Sequence, residues 1–352
     1  MRRFFAVLLP FLVIFLGGCA QTAPDLPEGT DKAAPLLAEL RFSEDAFSHS
    51  RNAPDAVCYS WLGAQLYQFR PDDANAVFFE KDPIVSSKDE EHGRCSVYTA
   101  TGASGARLVL EYNSAFMQSL YYRTPWYGSK AELLVKDYPA DIGAFNMNNV
   151  DKLPQEELSF ATVREAETAV KDILERLGCS NLGAAEVYAL SPATLAALER
   201  ADPQKDDDGR ELPLHSWTGE DACYYLVFRC EYDGLVFSRE GLQVAGTNIA
   251  VHYSARGVEC LEIQSPLEVT GIGEKMDMPS PEDAKAIVTQ KYDSMILTND
   301  ITVEEISLEY IMVPGEGRLV PSWRIIILED YGEYQYQSHL RFNALTGKQM
   351  TW

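Results

Sequence analysis

Again and again along this chain, a run of β-branched and aromatic residues stops at a short turn and a second run begins. CSVYTAT and ARLVLEY flank Gly102-Ala103-Ser104-Gly105, CYYLVFRCEY and LVFS flank Asp233-Gly234, and NIAVHYS and VECLEIQ flank Ala255-Arg256-Gly257. Each pair reads as an antiparallel hairpin. Asp-Gly accepts the positive φ values of a type I′ turn, which sets Tyr232 and Leu235 opposite each other. Ser114 to Tyr122 reads as a third strand beside the first hairpin. ISLEYIMV, LVPSWRIIIL and YQSHLRFN supply further strands near the C-terminus. Within the second of these, Trp323 alternates with Ile325 and Ile327 and is expected in the core, with Arg324 on the other face.

Two stretches carry helical spacing instead. Thr162-Val163-Arg164-Glu165 fits a capping box, and Ala166, Ala169, Val170, Ile173, Leu174 and Leu177 then recur on one face until Gly178. Ser280-Pro281-Glu282-Asp283 offers a cap hydroxyl, a first-turn proline and acids that suit the helix dipole, ahead of Ala284, Ile287, Val288 and Tyr292. Residues 33 to 48 look like a further short helix. The interval from 138 to 160, with Pro139, Asn146, Asn148, Asn149 and Pro154, breaks periodicity and suits a boundary. The expected fold class is therefore α+β: a β-rich N-terminal domain over 33–150, then two units of a helix packed on antiparallel strands, over 160–275 and 279–352.

The first residues bear on placement. Met1-Arg2-Arg3 precedes thirteen apolar residues, 4 to 16. At 1.5 Å per residue that run reaches about 20 Å, short of the roughly 30 Å hydrocarbon core, which fits a signal segment better than a permanent span. Leu16-Gly17-Gly18-Cys19 resembles the lipobox of bacterial lipoproteins. The resemblance implies that 1–18 is a removed signal peptide and that Cys19 carries a diacylglyceryl group and becomes the mature N-terminus. It also implies an extracytoplasmic body lipid-anchored to the cell membrane, or to the outer membrane in a Gram-negative cell. Residues 20 to 32 have no apolar periodicity and read, with Cys19, as a flexible tether over 19–32.

Fifty-three acids against 30 basic residues give a formal charge of -23, which excludes a broadly basic nucleic-acid binder. At 46% hydrophobic the chain has the apolar content of a globular protein, outside the disordered regime. Cys58, Cys95, Cys179, Cys223, Cys230 and Cys260 permit disulfides outside the cytoplasm, and equally permit buried thiols.

Motifs for metalloproteases, serine hydrolases and nucleotide or dinucleotide sites are missing, as is any Cys/His cluster with zinc spacing. Asp206-Asp207-Asp208-Gly209 fails as a calcium loop, because Gln204 would stand first and His215 twelfth. The five histidines are scattered, so no residue is assigned a catalytic role, and neither a metal nor a cofactor is expected. Paired acids such as Glu304 and Glu305, or Asp89-Glu90-Glu91, serve a glycosidase only if the fold sets two of them across a cleft. Aromatics give the binding lead: Tyr121-Tyr122-Arg123-Thr124-Pro125-Trp126-Tyr127-Gly128 gathers four rings beside Pro and Gly, and Tyr122, Trp126 and Tyr127 are the candidate ligand-binding residues. The alternative for these rings is a plug in the core.

Pro321-Ser322-Trp323-Arg324-Ile325 ahead of Phe342-Asn343-Ala344-Leu345-Thr346-Gly347-Lys348 resembles the closing half of a PepSY domain, with Asn343 where that family has Asp. Folds similar to it occur in YycH and YycI-type extracytoplasmic regulators. The resemblance implies two PepSY-like units and noncatalytic inhibition or signalling. The expected function is thus a membrane-anchored binding or regulatory protein acting on a peptide, a protease or an envelope sensor. A surface hydrolase or binding protein for glycans, and a structural spacer of the envelope, are the alternatives.

Overall fold

The computed structural model describes residues 39–43, 46, 58–113, 117–128, 153–201, 203, 208–238, 247–277, 280–293, 295, 297, 299–313, 316–332 and 334–350. The leader, Cys19 and the tether lie outside the described residues, as do most of the segment 138–160 and Asp206 and Asp207. The described residues all belong to one unit, Ala38–Trp352.

In chain order the first elements are β1 (Leu40–Phe42), β2 (Cys58–Leu66), α1 (Pro71–Phe78), β3 (Ile84–His92), β4 (Cys95–Gly102), β5 (Arg107–Asn113) and β6 (Met117–Arg123). Then come α2 (Val163–Arg176), β7 (Leu182–Leu190), α3 (Pro192–Ala201), β8 (Cys223–Tyr232), β9 (Leu235–Val236), β10 (Asn248–Ser254) and β11 (Gly257–Gln264). The last are β12 (Leu267–Asp277), α4 (Pro281–Asp293), β13 (Asp300–Val313), β14 (Arg318–Asp330) and β15 (Gln335–Asn343).

Local signals in the sequence hold. Thr162 Oγ1 accepts from the Glu165 amide at 3.2 Å while the Glu165 carboxylate accepts from the Thr162 amide at 2.8 Å. Ser280 and Asp283 exchange the same pair of bonds at the start of α4. Asp233 and Gly234 take φ values of 54° and 79°, and Tyr232 pairs with Leu235. Trp323, Ile325 and Ile327 are buried, and Arg324 lies half-buried on the other face against Glu305.

The α+β series of a β-rich domain and two helix-on-sheet units is overturned. The strands assemble into two large, mainly antiparallel sheets whose members come from distant stretches. One has nine strands, in the order β3-β4-β5-β6-β11-β10-β8-β7, with β9 on β8. The other has six, in the order β1-β13-β14-β2-β12, with β15 also on β14. β6 is hydrogen-bonded to β11, and β2 sits between β14 and β12, so the first third of the chain supplies strands to both sheets. The physical reason is that a strand left as an edge exposes a row of unpaired amides and carbonyls, and here β6, β2 and β14 are paired with strands from distant stretches rather than from within one module. The short helix read over residues 33 to 48 is also corrected where the structure describes it: Leu40–Phe42 is a strand, parallel to β13.

One core joins the sheets. Leu108, Leu120, Leu226, Val251 and Leu261 face it from the nine-stranded sheet, and Leu62, Tyr310, Trp323 and Ile325 from the six-stranded sheet. Ala166, Val170 and Leu174 of α2 and Ala284, Val288 and Tyr292 of α4 join the same core. The fastening point lies just past β9, where Phe237 bridges Tyr310 and the Ser238 amide donates to the Tyr310 carbonyl at 2.7 Å. Beside it, the buried Arg341 guanidinium donates to Glu309 and to Ser238 Oγ. Because Trp323 is fully enclosed, Trp323→Ala is expected to cost about 3–5 kcal/mol, the usual loss for a large buried aromatic. Urea unfolding should show this as a lower midpoint at unchanged m-value.

Candidate functional site

The aromatic segment leaves β6 at Arg123. Thr124 is tied down at once, its amide and its hydroxyl both donating to the Glu259 carbonyl at 2.8 and 3.1 Å. Pro125, with its pre-set φ, then opens a single 3₁₀ turn, Pro125–Tyr127. The turn separates the three candidate rings. Tyr127 points inward and is buried: its hydroxyl meets His252 Nε2 at 3.3 Å, and the two ring centres are 4.7 Å apart. Tyr122 is buried on the opposite, core face of the sheet, stacked on Phe78 at 4.1 Å and edge-on to Phe79. Trp126 alone faces water, 53% exposed.

Arg256, in the β10–β11 turn, lies over the Trp126 indole with its guanidinium carbon 5.5 Å from the ring centre. The guanidinium is oriented from behind by the Glu220 carbonyl at 2.8 Å and carboxylate at 3.6 Å, and by Glu259 at 3.5 Å. Glu259 is fully buried, so the cation at the indole is anchored to a carboxylate beneath the surface. The result is a flat apolar face held beside a fixed guanidinium, an arrangement that suits planar or extended ligand groups.

Under the turn lies a second layer. Tyr225 stacks on His252 at 5.0 Å, and Cys223 Sγ is 3.9 Å from His252 Nδ1. Register places Tyr225, His252, Cys260 and Arg123 in one row across β8, β10, β11 and β6. A Cys beside a His invites a nucleophilic reading, but Cys223 and His252 are both shut away from solvent. Burial pushes the Cys260 thiol up to about 12, with Glu262 adding to the rise, and drives the Tyr127 phenol well above its ordinary value. Tyr127, kept in its protonated form out of contact with water, packs with the buried His252 and Cys223 as a hydrogen-bonded support for the turn.

The other sequence candidates are dispersed. Glu305 is ion-paired with Arg324, its neighbour Glu304 lies exposed at an irregularity in β13, and Asp89-Glu90-Glu91 sit on the edge strand β3. Among the described residues no group of three or more His, Cys, Asp or Glu side chains is placed to hold a metal ion. His215 instead gives its amide to the buried Glu199 of α3, which also accepts the Trp217 indole N–H. Arg256 and Glu259 were not singled out by sequence reasoning; the only signal was the Ala-Arg-Gly turn, which marks a bend and not a partner.

The fold is similar to that of a solved structure, an uncharacterized protein from Eubacterium rectale ATCC 33656, with a TM-score of 0.58 at 15% identity, covering 90% of each chain. At that identity the likeness is one of fold alone. No family model matches the chain, and no curated protein matches it. Among the described residues no helix is long and apolar enough to cross a membrane.

The buried thiols give a prediction with a sign. Burial raises Cys230 from its ordinary value of 9.0 to about 12, as it does Cys260, and raises Cys179 further. The unfolded chain releases these protons first, so folding stability from these groups is intact below pH 9 and declines as the pH rises toward 12. At pH 8, iodoacetamide should leave the buried Cys179 and Cys230 unmodified in the native protein while reaching the half-buried Cys95, and should label all three in urea. Peptide mapping by mass spectrometry reads the outcome. Native-state labelling of Cys230 as fast as Cys95 would contradict the closed core described above.

Proposed function

We propose that this protein is a lipid-anchored extracytoplasmic protein whose sheet body binds a peptide or protein partner of the cell envelope without catalysing a reaction. The placement rests on the leader and on Leu16-Gly17-Gly18-Cys19, with Cys19 carrying the acyl chains and residues 20–32 acting as the tether. Two acyl chains suffice for stable attachment, since each buried CH₂ contributes about 0.8 kcal/mol. The acidic body is repelled by anionic headgroups within a Debye length of about 8–10 Å, which keeps it off the surface and open to a partner.

The observation that carries the binding reading is the exposed Trp126 on a turn that its neighbours immobilise. Thr124 is bound to Glu259, Tyr127 to His252, and Arg256 is held over the indole. A tryptophan fixed in this way loses little conformational entropy on binding, and tryptophan beside arginine is the composition of interface hot spots. A regulatory role, toward a protease or an envelope sensor, is the form of binding we favour for a tethered protein that offers a recognition surface.

Two measurements test this. Cys19→Ser should leave the chain unlipidated, with the mature diacylglyceryl peptide absent by mass spectrometry and the protein lost from the membrane fraction. Trp126→Ala should leave the melting temperature unchanged and lower recovery of the envelope partner by about thirtyfold in affinity, the effect of a 2 kcal/mol hot spot. Equal recovery by the wild type and Trp126→Ala would sink the reading of this corner as a binding surface.

A further inference from the structure

The nine-stranded sheet ends in β3, Ile84–His92, which pairs with β4 and, among the described residues, with no strand on its other side. Every residue of β3 is exposed except Glu90, which is half-buried, and Val85 reaches 65%. Gly93 and Arg94 form the two-residue turn that closes the β3–β4 hairpin, with Gly93 at φ 67° and His92 paired with Cys95. The pair flanking such a turn is hydrogen-bonded, and bonding then alternates along the strand. His92, Glu90 and Lys88 therefore direct their backbone groups to β4, while Glu91, Asp89 and Ser87 direct theirs outward.

The side chains divide in the same way. Lys88 and Glu90 lie on one face and neutralise each other at 2.5 Å. Asp89 and Glu91 lie on the other face, and neither has a cationic partner among the described residues. The irregularity between Ile84 and Ser86 blunts the start of the strand and leaves Ser86–His92 as the usable edge.

We propose that the β3 edge accepts an extended basic peptide segment as an added strand, with lysine or arginine at alternate positions facing Asp89 and Glu91. Main-chain hydrogen bonds to Ser87, Asp89 and Glu91 hold the segment, and the two carboxylates select its charge. A second copy of this chain is a poor occupant. It would set these acids against their own kind and join two strongly acidic bodies. The inference rests on the binding reading above and names its partner chemistry, but it uses an edge separate from the Trp126 turn.

The test titrates the full mature chain with a fluorescent peptide of alternating lysine and valine, and with the same peptide N-methylated at alternate amides. The unmodified peptide should bind one to one and the methylated one should not. The double variant Asp89→Lys, Glu91→Lys should weaken binding at least about tenfold. Asp89→Pro removes the outward N–H together with the carboxylate and leaves the bonds to β4, which an edge strand tolerates, and should abolish binding at unchanged melting temperature. Trp126→Ala should bind the peptide as the wild type does, so the two surfaces fail independently. The proposal is overturned if the chain binds no peptide, if the methylated peptide or the charge-reversed variant binds equally well, or if sedimentation shows a dimer that Asp89→Pro dissolves. Equal binding would mean that the acidic body as a whole attracts cations, and the dimer would mean that the edge belongs to a second copy.

Discussion

The pairing of β6 with β11 is the constraint on which the rest of the nine-stranded sheet depends. Ser119–Arg123 lies against Cys260–Gln264, far away in sequence, and joins the β3–β6 meander to the β7–β11 group. Its register sends Leu120, Tyr122, Leu261 and Ile263 to the core and Tyr121, Arg123, Cys260 and Glu262 to the other face. A slip of one residue would exchange every one of these positions, putting Ser119 and Tyr121 where Leu120 and Tyr122 now pack. It would also move Thr124 off the Glu259 carbonyl and Tyr127 off His252. The exposure of Trp126 is thus a consequence of non-local pairing, set before the loop has any choice of conformation.

Polar groups in this interior fix position more than they add stability. Arg341 comes from β15, Glu309 from β13, and Ser238 follows β9 of the other sheet, so their bonds meet where the two sheets join. Removing two charges from water offsets most of what the ion pair gains, whereas breaking it would leave an uncompensated charge worth about 3–5 kcal/mol. Glu262 shows the cost directly. Desolvation raises its carboxyl despite the 2.6 Å bond from Gln264 Nε2, so its contribution to stability falls as pH rises and the group ionises. Glu199 is better served, with the His215 amide and the Trp217 indole both donating to it.

What was legible in the sequence was local. Asp233-Gly234 specifies a turn whatever surrounds it, because few other dipeptides tolerate two positive φ values. Thr162 and Glu165, like Ser280 and Asp283, satisfy each other's amides within four residues. Alternation around Trp323 required only that one face be buried. What was not legible was which strand closes which edge. Helix α4 followed by β13, β14 and β15 has the sequence look of a self-contained module, yet β2 from the start of the chain pairs with Arg318 and Leu319 and shares that sheet. No local pattern encodes such a partner. At the candidate site the same limit applied: the ring-rich segment announced itself, but whether a ring faced water depended on His252, Phe78 and Arg256, each brought there by another element.

Charge then decides what may approach the surfaces that remain. At physiological ionic strength the field of the acidic body decays within about 8 Å, so attraction at a distance selects nothing finer than sign. An exposed ion pair contributes only about 0–1 kcal/mol, and a net hydrogen bond about 0.5–1.5 kcal/mol. Neither alone offsets the several kcal/mol of freedom lost on association. They must act together over consecutive residues, which is the situation at β3, where outward amides and unneutralised carboxylates belong to the same residues, Asp89 and Glu91. A compact cation would use the charges and miss the backbone, and a neutral strand would use the backbone and miss the charges. Only a chain that is both extended and basic draws on both terms, and the length of the open edge sets how many of each it can collect.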